Sequence, residues 1–117
     1  MTRVLIVDDD RTMTSLLQTL LELDGFDVSV ASRGGDVLNA AANANPDIIL
    51  MDYHLSDMEG VDVLRKIRAG GPFASIPIVI ASGMNVEDEV MAAGANAFLV
   101  KPFEPDDLPK LFNSLIG

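Results

Sequence analysis

The 117-residue sequence contains no cysteine, and no apolar run in it approaches the roughly 20 residues that a membrane-spanning helix needs. Without cysteine there is no disulfide framework, which fits a reducing cytoplasm, and we expect a cytoplasmic protein. Without a long apolar run, we expect no insertion into a membrane. Neither end shows a recognisable signal peptide, tail or linker, and none is expected.

Basic residues are also scarce. The chain has 8 lysine and arginine residues against 18 aspartate and glutamate residues, a formal net charge of −10. Because this charge repels a phosphate backbone, we expect no direct contact with nucleic acid. Apolar residues, in contrast, make up 49% of the chain. That share is enough to form the core of a single domain, which we place at residues 1–117.

Short β-branched runs alternate along the chain with segments of helical periodicity. Strands are predicted at 3–8, 26–31, 47–52, 76–81 and 97–100, and helices at 11–24, 35–44, 59–70, 86–93 and 106–116. Strands such as IPIVIA are apolar on both faces, which is typical of a parallel sheet covered by helices on both sides. The pattern predicts an α/β domain with a doubly wound sheet.

Polar residues stand where the apolar strands end, at the edge where such sheets bind ligands. They are Asp8 and Asp9 after the first strand, Asp52 after the third, Ser82 after the fourth and Lys101 after the fifth. Crowded carboxylates raise one another's pKa unless a cation is bound, and Mg²⁺ prefers oxygen ligands. One carboxylate can then attack phosphorus while a lysine and a hydroxyl bind the phosphoryl oxygens. These residues predict a phosphoryl-transfer site.

Two phosphoryl-transfer chemistries fit the first acidic cluster. In one, Asp8 is the nucleophile of a D-x-D-x-T motif completed by Asp10 and Thr12, as in haloacid dehalogenase-type phosphatases. In the other, Asp8 and Asp9 bind a divalent cation beside a nucleophile on another strand. The phosphatase also needs a late acidic pair at a strand end, whereas the late pair here, at 106–107, lies at a predicted helix start.

Four stretches, VLIVDDD, IILMDYHLSDMEG, IVIASG and AFLVKPF, resemble in order and spacing the landmarks of response-regulator receiver domains, over essentially the whole chain. The resemblance implies a flavodoxin-like (βα)5 fold whose parallel five-stranded sheet has the order 2-1-3-4-5. It also implies that Asp52 is the phosphoacceptor. Asp8, Asp9 and Asp52 would bind Mg²⁺ together with the backbone carbonyl of His54, whose side chain we expect to face solvent.

The same resemblance assigns the remaining roles. Ser82 and Lys101 would bind the phosphoryl group and act with Asp52 in catalysis, and Phe98 would be the aromatic residue that switches with Ser82. The peptide bond between Lys101 and Pro102 is expected to be cis.

By this resemblance the chain is a single-domain response regulator, a signalling switch rather than an enzyme. It would take its phosphoryl group from a histidine kinase or a histidine phosphotransfer protein, and it would assist its own phosphorylation and dephosphorylation. A downstream protein effector would read the surface formed by the fourth helix, fifth strand and fifth helix. The alternative of a pseudo-receiver, which only binds partners, predicts loss of an acid, the acceptor or the lysine, and all are present.

Three departures from the family pattern are visible. Ser56 stands where proline is common, so we expect a less rigid loop after Asp52. Ser82 replaces the commoner threonine and lacks the methyl group that helps to fix the side-chain rotamer. The short spacing from Ser82 to Lys101 predicts a fourth helix about one turn shorter than usual.

Overall fold

The computed structural model describes residues 1–116, in which strands and α-helices alternate strictly along the chain. The strands are β1 (Arg3–Val7), β2 (Asp27–Ala31), β3 (Ile48–Asp52), β4 (Ile78–Ser82) and β5 (Ala97–Val100). The helices are α1 (Arg11–Leu23), α2 (Val37–Ala44), α3 (Gly60–Arg68), α4 (Glu87–Ala92) and α5 (Leu108–Ile116). Short 3-10 turns, Gly34–Asp36 and Pro105–Asp107, lead into α2 and α5.

All strand pairs are parallel, and the strand order is β2-β1-β3-β4-β5. The predicted doubly wound flavodoxin-like fold is therefore confirmed. Predicted and observed element boundaries differ by at most two residues. One difference bears on the site: Ser82 belongs to β4 rather than following it, because it still pairs with Val100 of β5.

Two apolar cores lie on opposite faces of the sheet. Along β1, Leu5 and Val7 point into the core beneath α2, α3 and α4, while Val4 and Ile6 point into the core beneath α1 and α5. Because successive side chains of a strand point to opposite faces, a strand buried on both faces has a continuously apolar sequence. In β1, β3 and β4 polar residues therefore stand only at the strand ends, and the site lies at the carboxyl ends.

The register of the sheet brings the strand ends together. Val7 of β1 lies beside Met51 of β3, so Asp8 and Asp52 follow at the same level of the sheet. The helix α4 has only six residues, which agrees with the short fourth helix expected from the sequence. The Lys101–Pro102 peptide bond is cis, as predicted. Among residues 1–116 no helix is long and apolar enough to cross a bilayer.

Candidate functional site

Three carboxylates converge at the carboxyl ends of β1 and β3. Each of Asp8, Asp9 and Asp52 contributes an oxygen, and these oxygens all lie within 4.8 Å of one another. Asp8 is buried, Asp52 is partly buried and Asp9 is exposed. Carboxylate oxygens at this separation fit a hard divalent cation such as Mg²⁺, which takes a few protein oxygens and completes its shell with water or phosphate.

Backbone hydrogen bonds hold two of these carboxylates in place. The backbone N–H of Asp10 donates to Asp8 Oδ1 over 3.0 Å. Asp52 is the last residue of β3, and strand pairing continues one step beyond it, because the N–H of Tyr53 donates to the carbonyl of Ala81 over 2.9 Å. The Asp8 carboxylate and the backbone at Asp52 are therefore fixed, whereas exposed Asp9 lies beyond the end of β1.

Lys101 lies directly between the two inner carboxylates. Its Nζ atom is 3.0 Å from Asp8 Oδ2 and 3.3 Å from Asp52 Oδ1. The N–H of Lys101 donates to the carbonyl of Ser82 over 2.9 Å, which extends the pairing of β4 and β5 as far as the lysine. The lysine thus reaches the acidic cluster from the far strand of the sheet.

The electrostatics of the site show an excess of negative charge. Burial raises the pKa of the Asp52 carboxyl, and Asp8 raises it further, while Lys101 acts in the opposite direction. Burial opposes the charge of Lys101, but its hydrogen bonds and ion pairs with Asp8 and Asp52 outweigh this effect and raise the pKa of Lys101. One lysine does not compensate three carboxylates, so the site favours an additional cation.

Ser82 is almost fully buried, with 1% of its surface exposed. Its hydroxyl oxygen accepts a hydrogen bond from the N–H of Met84 over 3.0 Å. A serine hydroxyl has one proton to donate in addition to the lone pairs that accept. Ser82 can therefore hold the start of the segment between β4 and α4 and still donate to an oxygen placed over Asp52.

The segment 53–59 between β3 and α3 follows Asp52, the predicted phosphoacceptor; it is here called the phosphoacceptor loop, and it is closed at its base. The N–H of Leu55 donates to the carbonyl of Met58, and the N–H of Gly60 donates to the carbonyl of Tyr53. These bonds pair His54 with Glu59 without using the His54 carbonyl, which leaves that carbonyl available as a ligand.

The remaining groups of the loop agree with a tight turn. A Cβ atom at Gly60 would lie 2.2 Å from the carbonyl oxygen of Asp52, so only glycine fits there. About half of the His54 side chain is exposed, and its Nδ1 atom lies 3.0 Å from Glu59 Oε2. The imidazole thus faces solvent and Glu59 rather than the acidic cluster.

Two contacts of the loop were not predicted from the sequence. The Asp57 carboxylate accepts hydrogen bonds from the N–H groups of Gly34 and Gly35. The Tyr53 hydroxyl donates to Glu89 of α4. A sequence signal existed for the first contact only, in the glycine pair at 34–35, but a turn is its simplest interpretation.

Phe98 on β5 is partly buried and packs against the core beneath α2, α3 and α4. The next residue on the same face of this edge strand, Val100, is exposed. The ring therefore lies between the interior and the surface formed by α4, β5 and α5, the position that a switching side chain requires. Its movement remains a prediction.

The phosphatase alternative is not supported. Asp10 is the N-cap of α1, where its side chain accepts from the N–H of Met13 over 3.1 Å. Asp106, one of the late acidic pair, lines an open cleft with Thr2 and Phe26. These two residues precede β1 and β2, so the cleft lies at the amino ends of the strands. A D-x-D-x-T site needs its late acids beside the first aspartate, and here Asp106 lies far from Asp8, while the side chain of Asp10 is engaged in capping α1.

Comparison with known proteins agrees with this geometry. The sequence model of the response regulator receiver domain matches residues 4–113. The DNA-binding response regulator MtrA of Mycobacterium tuberculosis is 35% identical over 109 residues, which are 91% of this chain and 46% of MtrA. The chain spans about half the length of the curated relatives it matches.

Solved structures show the same fold. A putative response regulator from Chloroflexus aurantiacus superposes with a TM-score of 0.91 at 29% identity, covering 98% of this chain and 97% of that one. The receiver domain of the sensor histidine kinase PA1611 from Pseudomonas aeruginosa has a TM-score of 0.88 at 27% identity, covering 99% and 98%. That structure is described with a magnesium ion coordinated in its active site cleft.

Proposed function

The chain belongs to the response regulator receiver domain family, and we propose that it is a phosphorylation-controlled switch with Asp52 as its phosphoacceptor. The observation that carries the proposal is the contact of Lys101 Nζ with both Asp8 and Asp52 beside a three-carboxylate cluster. A phosphatase that used Asp8 as nucleophile is not supported, and a binding-only pseudo-receiver has no need of this intact set.

The metal-binding residues in this proposal are Asp8, Asp9 and Asp52, with the backbone carbonyl of His54. Bound Mg²⁺ would neutralise the crowded carboxylates and stabilise the charge on the phosphoryl oxygens. The three carboxylates support this assignment, because their oxygens are closely spaced and one side of the cluster, at exposed Asp9, is open to solvent.

In the transfer step, an Asp52 oxygen attacks phosphorus and forms an acyl phosphate. The phosphorus–nitrogen bond of a phosphohistidine donor breaks, and the electron pair leaves with the imidazole, which takes up a proton. The donor is a histidine kinase or a histidine phosphotransfer protein. Lys101 stabilises the charge on the phosphoryl oxygens, and the Ser82 hydroxyl donates a hydrogen bond to one of them.

The switch follows from the movement of Ser82. Its oxygen holds the N–H of Met84, so a shift toward the phosphoryl group pulls on the segment that leads into α4. Phe98 then takes up the space beside β4, and the surface of α4, β5 and α5 changes for a downstream protein effector. The proposal involves no direct contact of this domain with nucleic acid, given the net charge of −10.

We further propose that the chain acts as a single-domain response regulator in the cytoplasm, which its lack of cysteine fits. Because its curated relatives are about twice as long, the size of the protein in its own cells tests this point directly. An intact mass matching 117 residues supports it, and a longer product contradicts it.

Phosphorylation is tested by intact mass after incubation with acetyl phosphate and Mg²⁺. The wild type is expected to gain one phosphoryl group, and Asp52→Asn is expected to gain none. Asp8→Asn lowers the extent of labelling, because it weakens the metal site but leaves the acceptor. Label retained in Asp52→Asn but lost in Asp8→Asn would instead support the phosphatase, and an unlabelled wild type would support the pseudo-receiver.

A further inference from the structure

The tip of the phosphoacceptor loop is tied to the start of α2 by a single carboxylate. Asp57 Oδ1 accepts from the N–H of Gly34 over 2.8 Å, and Asp57 Oδ2 accepts from the N–H of Gly35 over 2.9 Å. These N–H groups begin the turn that leads into α2, where backbone donors have no partner within the helix. Each oxygen of Asp57 thus has its own donor from a distant part of the chain.

The two segments also pack without a gap. Gly34 is buried, and a Cβ atom there would lie 2.4 Å from Met58 Cγ and 2.9 Å from Val63 Cγ2. Gly34 thus lets the backbone before α2 approach the loop closely enough for its N–H to reach Asp57. The positive charge of Arg33 also attracts the Asp57 carboxylate, since Arg33 Nε lies 3.9 Å from Asp57 Oδ2. The hydrogen bonds from both glycines hold the pKa of Asp57 below its ordinary value, so the carboxylate is ionised at neutral pH.

Ser56, next to Asp57, stands at the position where proline is common in receiver domains. Its side chain is exposed. The restraint that the ring of a proline supplies is therefore absent from this loop. The base of the loop is held by the N–H of Gly60, and the tip is held by Asp57.

We propose that Asp57 is a positioning residue for the metal site: by anchoring the loop tip to the backbone before α2, it sets the position of the His54 carbonyl. This inference deepens the proposed function and rests on its assignment of His54 as a metal ligand. Asp57 itself touches neither the metal-binding carboxylates nor the acceptor. It acts through the backbone of the loop, as outer partners of metal ligands commonly do.

Asp57→Ala removes both anchors, so the free loop samples positions in which the His54 carbonyl does not reach the ion. The Mg²⁺ concentration for half-saturation is expected to rise about tenfold, the lower end of what such outer partners contribute. At saturating Mg²⁺ the rate of labelling by acetyl phosphate returns to the wild-type value, because Asp52, Ser82 and Lys101 are unchanged. Asp57→Asn retains one acceptor oxygen, so its Mg²⁺ half-saturation is expected to lie between those of the wild type and Asp57→Ala.

Mg²⁺ binding can be followed without any phosphodonor. Tyr53 is the only tyrosine, the chain has no tryptophan, and the Tyr53 ring meets the His54 ring edge-on at 4.8 Å between centroids. Its fluorescence therefore reports on the loop during a Mg²⁺ titration. Ser56→Ala is the matched control, since it changes an exposed neighbouring side chain, and its half-saturation is expected to equal that of the wild type.

The results separate positioning from general stability. Unchanged Mg²⁺ half-saturation in Asp57→Ala and Asp57→Asn, even with a lowered unfolding midpoint, overturns the inference. The inference is also overturned if Ser56→Ala loses as much Mg²⁺ affinity as Asp57→Ala, or if the wild type does not bind Mg²⁺. Weakened Mg²⁺ binding in a protein whose wild type accepts no phosphoryl group supports the inference about Asp57 and contradicts Asp52 as acceptor. Asp57→Asn serves for the titration if Asp57→Ala does not fold.

Discussion

The hydroxyl of Tyr53 donates a hydrogen bond to the carboxylate of Glu89, which joins the residue after Asp52 to the first turn of α4. The Tyr53 ring is buried in the core beneath α2, α3 and α4, whereas Glu89 is exposed. Within residues 1–116, no other side-chain hydrogen bond joins α4 to the rest of the fold. Otherwise this short helix is held mainly by apolar contacts such as that of Val90.

The Tyr53 hydroxyl is expected to titrate at unusually high pH. Its hydrogen bond to Glu89, with burial and the Glu89 charge, raises the pKa of Tyr53 from 10.0 to about 12. Because the folded pKa exceeds the unfolded one, this contribution to stability is complete below pH 10 and is lost as pH rises toward about 12. Tyrosinate absorbance measures the titration directly, since the chain has one tyrosine.

Two variants test the cause of that shift. Glu89→Gln is expected to bring the pKa of Tyr53 back toward 10.0, and Asp88→Asn, which changes an exposed neighbour, is expected to leave it raised. Tyr53→Phe is expected to lower the free energy of unfolding by roughly 0.5–1.5 kcal/mol, the net value of one hydrogen bond. A wild-type titration near pH 10 would contradict the contact.

Lys101→Met removes the cation between Asp8 and Asp52. Its loss leaves the carboxylates uncompensated, so the free energy of unfolding without metal is expected to fall by about 2 kcal/mol, less than for a fully buried pair. Added Mg²⁺ is expected to raise the unfolding midpoint of this variant more than that of the wild type. Lys110→Met, at an exposed position on α5, is the control, and equal responses of the two variants to Mg²⁺ would count against the predicted role.

Gly60→Ala is expected to distort the base of the phosphoacceptor loop. The added Cβ would lie 2.2 Å from the Asp52 carbonyl oxygen, and we expect a loss of roughly 1–3 kcal/mol in the free energy of unfolding, as for overpacked sites. Gly83→Ala is matched to it, because a Cβ there meets nothing within 4 Å. Denaturant unfolding of both variants decides, and equal stabilities would refute the close approach.

Phe98 is expected to shift only modestly on activation. Its ring lacks a hydroxyl, so an inward position has no ring hydrogen bond to hold it and depends on packing alone. Some inward Phe98 is therefore expected before phosphorylation. NMR of the ring with and without beryllofluoride measures the change, and unchanged ring shifts despite occupancy at Asp52 would exclude an aromatic switch.

The sequence by itself predicted the strands, the helices and the residues that meet at the candidate site. The apolar runs of the strands, the helical periodicity and the polar residues at the strand ends are local features, and they placed Asp8, Asp52, Ser82 and Lys101 at one edge of a parallel sheet. The strand order was less accessible, because local patterns do not state which strands are neighbours. It came from the resemblance of four motifs to a known family.

The tertiary structure alone decided which distant groups meet. In the sequence, Asp57 is interpreted as a loop residue and the glycines at 34–35 as a turn. Neither pattern indicates that the Asp57 carboxylate accepts hydrogen bonds from the N–H groups of both glycines. Tyr53 and Glu89 are 36 residues apart. Neither an apolar strand-end tyrosine nor an acidic residue in a helix indicates in the sequence that the two are hydrogen-bonded. Such contacts depend on how the helices pack on the sheet. The side-chain volumes of the whole core determine that packing together, so no short segment of the sequence encodes it.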